Sequence, residues 1–230
     1  MKATELQELP RYSIAEASRY LHISETTLRS WIVGRPYSVR AGQETRYFEP
    51  LIARLNPEDT RLSFSNLVEA HVLRALRFKH EVRMQAVREA LDYAERHFSI
   101  RRLLLSDQLR AAPGRMFLDR YGELIQISES GQHAIREYFE AHLERLDRDP
   151  RGVPIRLFPA SRVSGILTSP KVIVIDPRVS FGRPVIDKAG IKTSTIVERF
   201  DAGESLGEIA EDYDIGVPEV EEAIRYERAA

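Results

Sequence analysis

The stretch Tyr12-Ser13-Ile14-Ala15-Glu16-Ala17-Ser18-Arg19-Tyr20-Leu21-His22-Ile23-Ser24-Glu25-Thr26-Thr27-Leu28-Arg29-Ser30-Trp31-Ile32 decides the fold, because its pattern returns near the other end of the chain. Shifted by 192 positions, Ser13, Glu16, Ala17, Leu21, Ile23, Leu28 and Trp31 fall on Ser205, Glu208, Ile209, Tyr213, Ile215, Val220 and Ala223. Pattern is kept rather than identity. Each copy opens with Ser-x-x-Glu, in which the serine oxygen accepts from a free backbone N–H and the glutamate reaches back to the serine N–H. Each therefore predicts a capped helix. An apolar residue closes that helix and a short turn follows. Apolar residues at i, i+3 and i+4 then set one face of a second helix against the first. The sequence predicts helix-turn-helix geometry twice.

The outward positions of the second helix separate the copies. The first has Thr26, Thr27, Arg29 and Ser30, short donors and acceptors with one guanidinium suited to a guanine edge or a phosphate, and Ser24 just before them is a further candidate DNA contact. The second has Pro218, Glu219, Glu221 and Glu222 at the equivalent places, expected to face out and to repel a polyanion. After the first copy, Gly34 ends the helix, and Tyr37 to Val39 and Arg46 to Phe48 are β-prone runs with Ala41-Gly42 as the turn between them. The prediction is a hairpin wing carrying Arg40 and Arg46, which with Arg35 are candidate phosphate contacts. Charge follows the same division. Between Arg11 and Phe48 six arginines stand against three glutamates, whereas from Val185 onward five basic residues stand against twelve acidic ones. Opposite fields at the two ends imply different partners.

A chain of 230 residues that is 43% hydrophobic has material for a packed core in more than one unit. No run approaches the ~18 apolar residues of a membrane span, and Lys2, Glu5 and Glu8 stand where a signal peptide is apolar, so a cytoplasmic protein without membrane contact is expected. Absence of cysteine excludes disulfides and thiolate metal sites. In the middle, two helices are expected between Ser63 and Phe98, with Val87, Ala90, Leu91, Ala94 and Phe98 on one face. Met116 to Leu118 and Leu124 to Ile127 flank Asp119-Arg120-Tyr121-Gly122-Glu123 and predict a hairpin, Gln132 to Leu146 a helix, Val153 to Phe158 a strand, and Pro159 to Pro170 a linker. The expected class is mainly α with small β-hairpins. It divides into a winged helix-turn-helix DNA-binding domain over 1–60, a mixed α/β, largely helical middle region with a β-hairpin over 61–160, and a three-helix, helix-turn-helix-like domain over 169–230.

The series from Tyr12-Ser13-Ile14-Ala15-Glu16-Ala17 through Arg29-Ser30-Trp31-Ile32 to Arg46-Tyr47-Phe48 resembles the winged helix-turn-helix of the MerR and excisionase group. That resemblance implies a second helix in the major groove and a wing along the DNA backbone. Ser169 to Ile186 ends in Ser-Phe-Gly-Arg-Pro-Val-Ile, and Gly190-Ile191-Lys192-Thr193, Ala202-Gly203-Glu204-Ser205 and Ile209-Ala210-Glu211-Asp212-Tyr213 follow. This part resembles the small three-helix domain of unknown function found in VapB-type antitoxins. Many members read Gly-Thr-Arg where this chain has Asp187 to Ile191, which puts any role of that arginine in doubt. Together the resemblances imply an antitoxin of a type II toxin-antitoxin module, with operator DNA and a PIN-domain ribonuclease toxin as partners and repression of its own operon. A homodimer is expected, since two-fold proteins match palindromic operators. A stand-alone MerR-like regulator with a ligand-sensing middle, and a scaffold that binds no DNA, are the alternatives.

No catalytic residue, metal ligand or cofactor site is expected. Gly203-Glu204-Ser205-Leu206-Gly207 spells a nucleophile elbow, but no strand precedes it and no histidine follows, so Ser205 reads as a helix cap. His133 and Glu137 are four apart without a second pair, and His71, His80 and His97 lie among arginines, where solvated or anion-facing roles fit better than metal binding. A nuclease partner makes Arg156, Arg162, Arg225 and Arg228 candidate toxin contacts, but ordinary surface roles are expected for them.

Overall fold

Three serines set the frame. Ser13, Ser63 and Ser205 each open a helix with a reciprocal box, closed by Glu16, Asn66 and Glu208. Such a box satisfies orphan N–H groups at the helix start with groups only three residues away, so it needs no tertiary help. The computed structural model describes residues 3–38, 45–77, 84–126, 128–161, 166 and 168–229. It is mainly helical, with small antiparallel two-stranded hairpins.

Helix α1 (Ala3–Glu8) precedes α2 (Ile14–Leu21) and α3 (Glu25–Ile32), and the wing strands β1 (Arg35–Ser38) and β2 (Thr45–Phe48) follow. Helix α4 (Phe64–Arg74) is buried at every residue and forms the centre of the molecule. Its Glu69 carboxylate is met by the Arg102 guanidinium at 2.9 Å. Helix α5 (Met84–Phe98) buries Ala86, Val87, Ala90, Leu91 and Ala94, the stripe its periodicity predicts, with Phe98 half-buried. One cluster of buried residues runs from Tyr12 to Ile175, so the packed core does not stop at residue 60.

The hairpin expected across Met116 to Ile127 is not there. Residues Ala112–Ile125 form one helix, α6, and Ile127 lies outside the described residues. The buried set Pro113, Gly114, Phe117, Leu118, Tyr121 and Gly122 has a helical period, and Pro113 sits in the first turn, where its missing N–H costs nothing. Gly122, read as a turn residue, is a helix contact: an added Cβ would lie 3.1 Å from Gln132 of α7 (Glu129–Leu143). The hairpin of this region lies later, where β3 (Leu146–Arg148) pairs with β4 (Pro154–Leu157). Nor are the described residues between Pro159 and Pro170 a free linker. Pro159, Ala160, Ser161 and Ser169 are buried, and the buried Arg145 guanidinium donates to the carbonyls of Phe158, Pro159, Ser169 and Pro170. One side chain thus satisfies four carbonyls that a strand would otherwise pair. Burial lowers the Arg145 pKa to about 10, which leaves it charged at neutral pH.

A Leu157–Ile175 bridge joins this region to β5 (Ile173–Val174), which pairs with β6 (Val185–Ile186). Helices α8 (Thr193–Asp201), α9 (Leu206–Asp212) and α10 (Val217–Arg228) complete the expected three-helix unit around Ile173, Ile186, Ile196, Ile209, Val220, Ala223 and Tyr226. No helix among the described residues is long and apolar enough to cross a membrane.

Candidate nucleic-acid interface

The predicted repeat is present down to single hydrogen bonds. Ser13 Oγ accepts from the Glu16 N–H at 3.1 Å, and Ser205 Oγ from the Glu208 N–H at 3.3 Å. At the turns, His22 and Asp214 are both left-handed, with φ 49° and 52°. The Ile23 N–H then donates to the Ser18 carbonyl at 3.1 Å and the Ile215 N–H to that of Ala210 at 3.0 Å. Ser205 is a helix cap, as its sequence context predicts.

In the first copy Leu28, Trp31 and Ile32 bury one side of α3. Ser24, Glu25, Thr26 and Arg29 stand exposed, and Thr27 and Ser30 are half-buried. The hydroxyls are already engaged: Ser24 Oγ caps the Thr27 N–H and donates to Thr27 Oγ1 at 2.8 Å, and Ser30 Oγ donates to the Thr27 carbonyl at 2.7 Å. Arg29 has no carboxylate partner among the described residues, so its guanidinium is available to a ligand. Glu25, passed over in the sequence, adds one carboxylate to this face, at a helix N-terminus where negative charge is stabilised.

The wing is anchored to the end of α3. Gly34 has φ +86°, and a Cβ there would sit 2.3 Å from the Phe48 carbonyl oxygen. Only glycine fits the turn from helix into β1. The Leu51 and Ile52 N–H groups donate to the Trp31 carbonyl at 2.8 and 3.0 Å, closing the return from β2. Arg35 is exposed at the base of β1, and Arg46 lies on β2 in register with Tyr37. Arg40 lies outside the described residues.

The second copy differs from its prediction at one position. Glu222 does not face out: it is 3% exposed, and its carboxylate accepts from Ser161 Oγ and pairs with Arg225. The Glu219 carboxylate accepts from the Gly216 N–H at 2.6 Å at the start of α10. Pro218 and Glu221 remain exposed. The other candidate arginines are also engaged, Arg156 with Asp147 and Asp187 and Arg228 with Asp201, while Arg162 lies outside the described residues.

Sequence reasoning missed what holds the first copy in place. The last carbonyls of α2 lack intrahelical donors. Tyr226 Oη of α10 donates to the Tyr20 carbonyl at 2.8 Å, and Arg74 Nη1 of α4 to that of Leu21 at 2.6 Å. The His22 ring stands edge-on to Tyr226, with centroids 5.0 Å apart. Burial lowers its pKa to about 4, with the Arg74 charge adding to the effect. Arg74, a cation at the end of the wholly buried α4, was the one available signal. His71 also departs from expectation. It is buried, not solvated, and its Nε2 lies 3.0 Å from the His142 carbonyl. His97, His133 and Glu137 are exposed, His80 lies outside the described residues, and no group of three or more His, Asp or Glu able to hold a metal gathers among those described.

The capped pair α2–α3, its exposed polar face carrying Arg29, and the hairpin behind it make the N-terminal part a winged helix-turn-helix. Residues 10–91 match the family described as "Putative DNA-binding HTH domain", and residues 173–226 match "Protein of unknown function (DUF433)". The chain is similar to "Putative antitoxin VapB45" of Mycobacterium tuberculosis, 28% identical over 240 residues, covering 94% of this chain and 93% of the relative. Its fold is shared with the crystal structure of Rv2018 from Mycobacterium tuberculosis at TM-score 0.64 and 24% identity, over 94% of this chain and 98% of that one.

Proposed function

We propose that this chain is the antitoxin of a type II toxin-antitoxin module: it binds operator DNA, neutralises a PIN-domain ribonuclease toxin, and represses its own operon. The observation that carries the reading is Arg29, which has no carboxylate partner among the described residues, on the exposed face of a capped, wing-flanked helix. Similarity to a protein named as an antitoxin along nearly the full length of both chains supports the second half of it.

In this reading α3 enters the major groove of double-stranded DNA, with Arg29 and Thr26 on base edges or phosphates. Ser24, Thr27 and Ser30 hold the N-terminal turn of α3 in shape, while Arg35, Arg40 and Arg46 of the wing meet backbone phosphates. The C-terminal copy does no DNA reading, because Glu222 ties the equivalent face to Ser161 and Glu221 would meet phosphates with like charge. It contacts protein instead. The protein acts as a homodimer on a two-fold operator and performs no chemistry itself. Binding to the promoter fragment upstream of its gene tests the DNA half, and complex formation with the ribonuclease encoded beside it tests the other.

A further inference from the structure

We propose that the C-terminal unit adds a second contact with DNA: Arg183 and Lys192, which share one cavity with Arg19 of α2, hold a backbone phosphate of the operator. The proposal rests on the reading above that α3 enters the major groove.

The cavity lies in the seam between the two units and has a volume of about 230 Å³. Arg19 reaches it from the exposed side of α2, and Arg183 and Lys192 from the C-terminal unit. Backbone pairing brings the latter two together: Val185 forms an antiparallel bridge with Lys192, and the Thr193 N–H donates to the Pro184 carbonyl at 3.1 Å. The seam itself is fixed from several sides. Tyr226 Oη donates to the Tyr20 carbonyl, and Arg11 Nη1 to the Pro177 carbonyl at 2.9 Å. Gly182 packs so closely on Tyr12 that a Cβ there would lie 2.0 Å from the hydroxyl. The elements that carry the three cations are therefore in place before a ligand arrives, which lowers the cost of binding one.

Charge indicates what the cavity takes. Arg199, Arg225 and Arg228 each pair with a carboxylate of the C-terminal unit. Arg19, Arg183 and Lys192 have no carboxylate partner in ion-pair range among the described residues. Two carboxylates share the cavity wall, and each is engaged at a helix start: Glu16 accepts from the Ser13 N–H at 2.9 Å, and Glu227 from Thr193 Oγ1. Three cations against two anions leave a surplus of one positive charge, which matches the single negative charge of a phosphodiester. Position points to DNA as its source. Where the second helix of a helix-turn-helix lies in the major groove, the first crosses the backbone. Arg19 also lines the adjoining cleft with Ser24 and Glu25 at the start of α3, so the cavity lies beside the face assigned to the groove. A phosphate held there fixes register without reading sequence, and the acidic α9–α10 copy takes no part in it.

The test titrates the full chain, its Arg183→Gln/Lys192→Gln double variant and its Lys188→Gln variant with the upstream promoter fragment and with a duplex of unrelated sequence, across several salt concentrations. Lys188 is an exposed cation of the same unit that does not line the cavity. Tm with and without inorganic phosphate is read in parallel. Loss of one phosphate contact is expected to lower the slope of log affinity against log salt by about one in the double variant, and its affinity by about fivefold at ~0.15 M salt. The loss should be equal on both duplexes, because a phosphate carries no sequence information, with Lys188→Gln and the Tm in the absence of phosphate unchanged. An unchanged slope in the double variant, or an equal fall in Lys188→Gln, overturns the proposal while the placement of α3 stands. Equal DNA binding by wild type and double variant, with inorganic phosphate raising the Tm of the wild type alone, assigns the cavity to a free anion and also overturns it. No salt-dependent DNA binding by the wild type overturns both.

Discussion

Replacing Tyr226 by Phe removes one oxygen and keeps the ring, which isolates the contact between the C-terminal helix and the DNA-reading unit. The Tyr226 side chain is fully buried, and its hydroxyl is the donor to the Tyr20 carbonyl, one of the last carbonyls of α2. Burial holds the phenol far above its ordinary pKa, so it stays a donor throughout the accessible pH range. A neutral hydrogen bond contributes about 1 kcal/mol net, and a buried carbonyl left without a donor raises the cost of its removal to about 1–2 kcal/mol. For a chain of this size that lowers Tm by about 2–8 °C. Differential scanning calorimetry and urea unfolding of the two proteins measure it, and hydrogen exchange locates it, with protection falling first in α2 and the following turn. Equal stability of Tyr226→Phe and wild type within about 0.3 kcal/mol would refute the reasoning, because the hydroxyl would then have to be solvated in the folded protein.

Acid should weaken the fold through its buried histidines. His22, His71 and His142 are held neutral by burial, His22 with a pKa of about 4 and His142 of about 3. Their folded values lie below the unfolded value near 6.5, so stability is full above about pH 6.5 and falls as the unfolded chain takes up protons below it. By pH 5 the loss is about 2 kcal/mol for His142 alone, His71 adds to it in the same direction, and a urea midpoint unchanged between pH 7.5 and 5 would contradict it. Gly34→Ala places a Cβ against the Phe48 carbonyl at φ +86°, and is expected to cost more than about 1 kcal/mol and to weaken DNA binding through the wing. Calorimetry and a promoter-binding titration check both halves.

Both helix-turn-helix copies were legible because their determinants are local. The Ser13–Glu16 and Ser205–Glu208 boxes act across three residues, and the apolar stripes of α3 and α10 follow from periodicity. The wing was legible from Gly34 and two β-prone runs. What escaped depends on residues far away in the chain. Gly122 looks like a turn until Gln132 packs against it, Glu222 looks exposed until Ser161 reaches it, and His71 looks solvated until His142 covers it. Arg145 turned an expected linker into packed chain by a side chain's hydrogen bonds, a role no pattern encodes. Of the DNA-contact candidates, Thr26, Arg29 and Arg35 stand exposed as expected, whereas Ser24, Thr27 and Ser30 spend hydroxyl bonds on the helix itself.

The central claim is that α3 is the helix that meets DNA. Its most direct measurement is the affinity of wild type and Arg29→Ala for the upstream promoter fragment, across several salt concentrations. The account predicts salt-dependent binding by the wild type and a loss of about tenfold or more in Arg29→Ala, with a salt slope smaller by about one if Arg29 holds a phosphate. Equal binding by the two proteins at every salt concentration would contradict it.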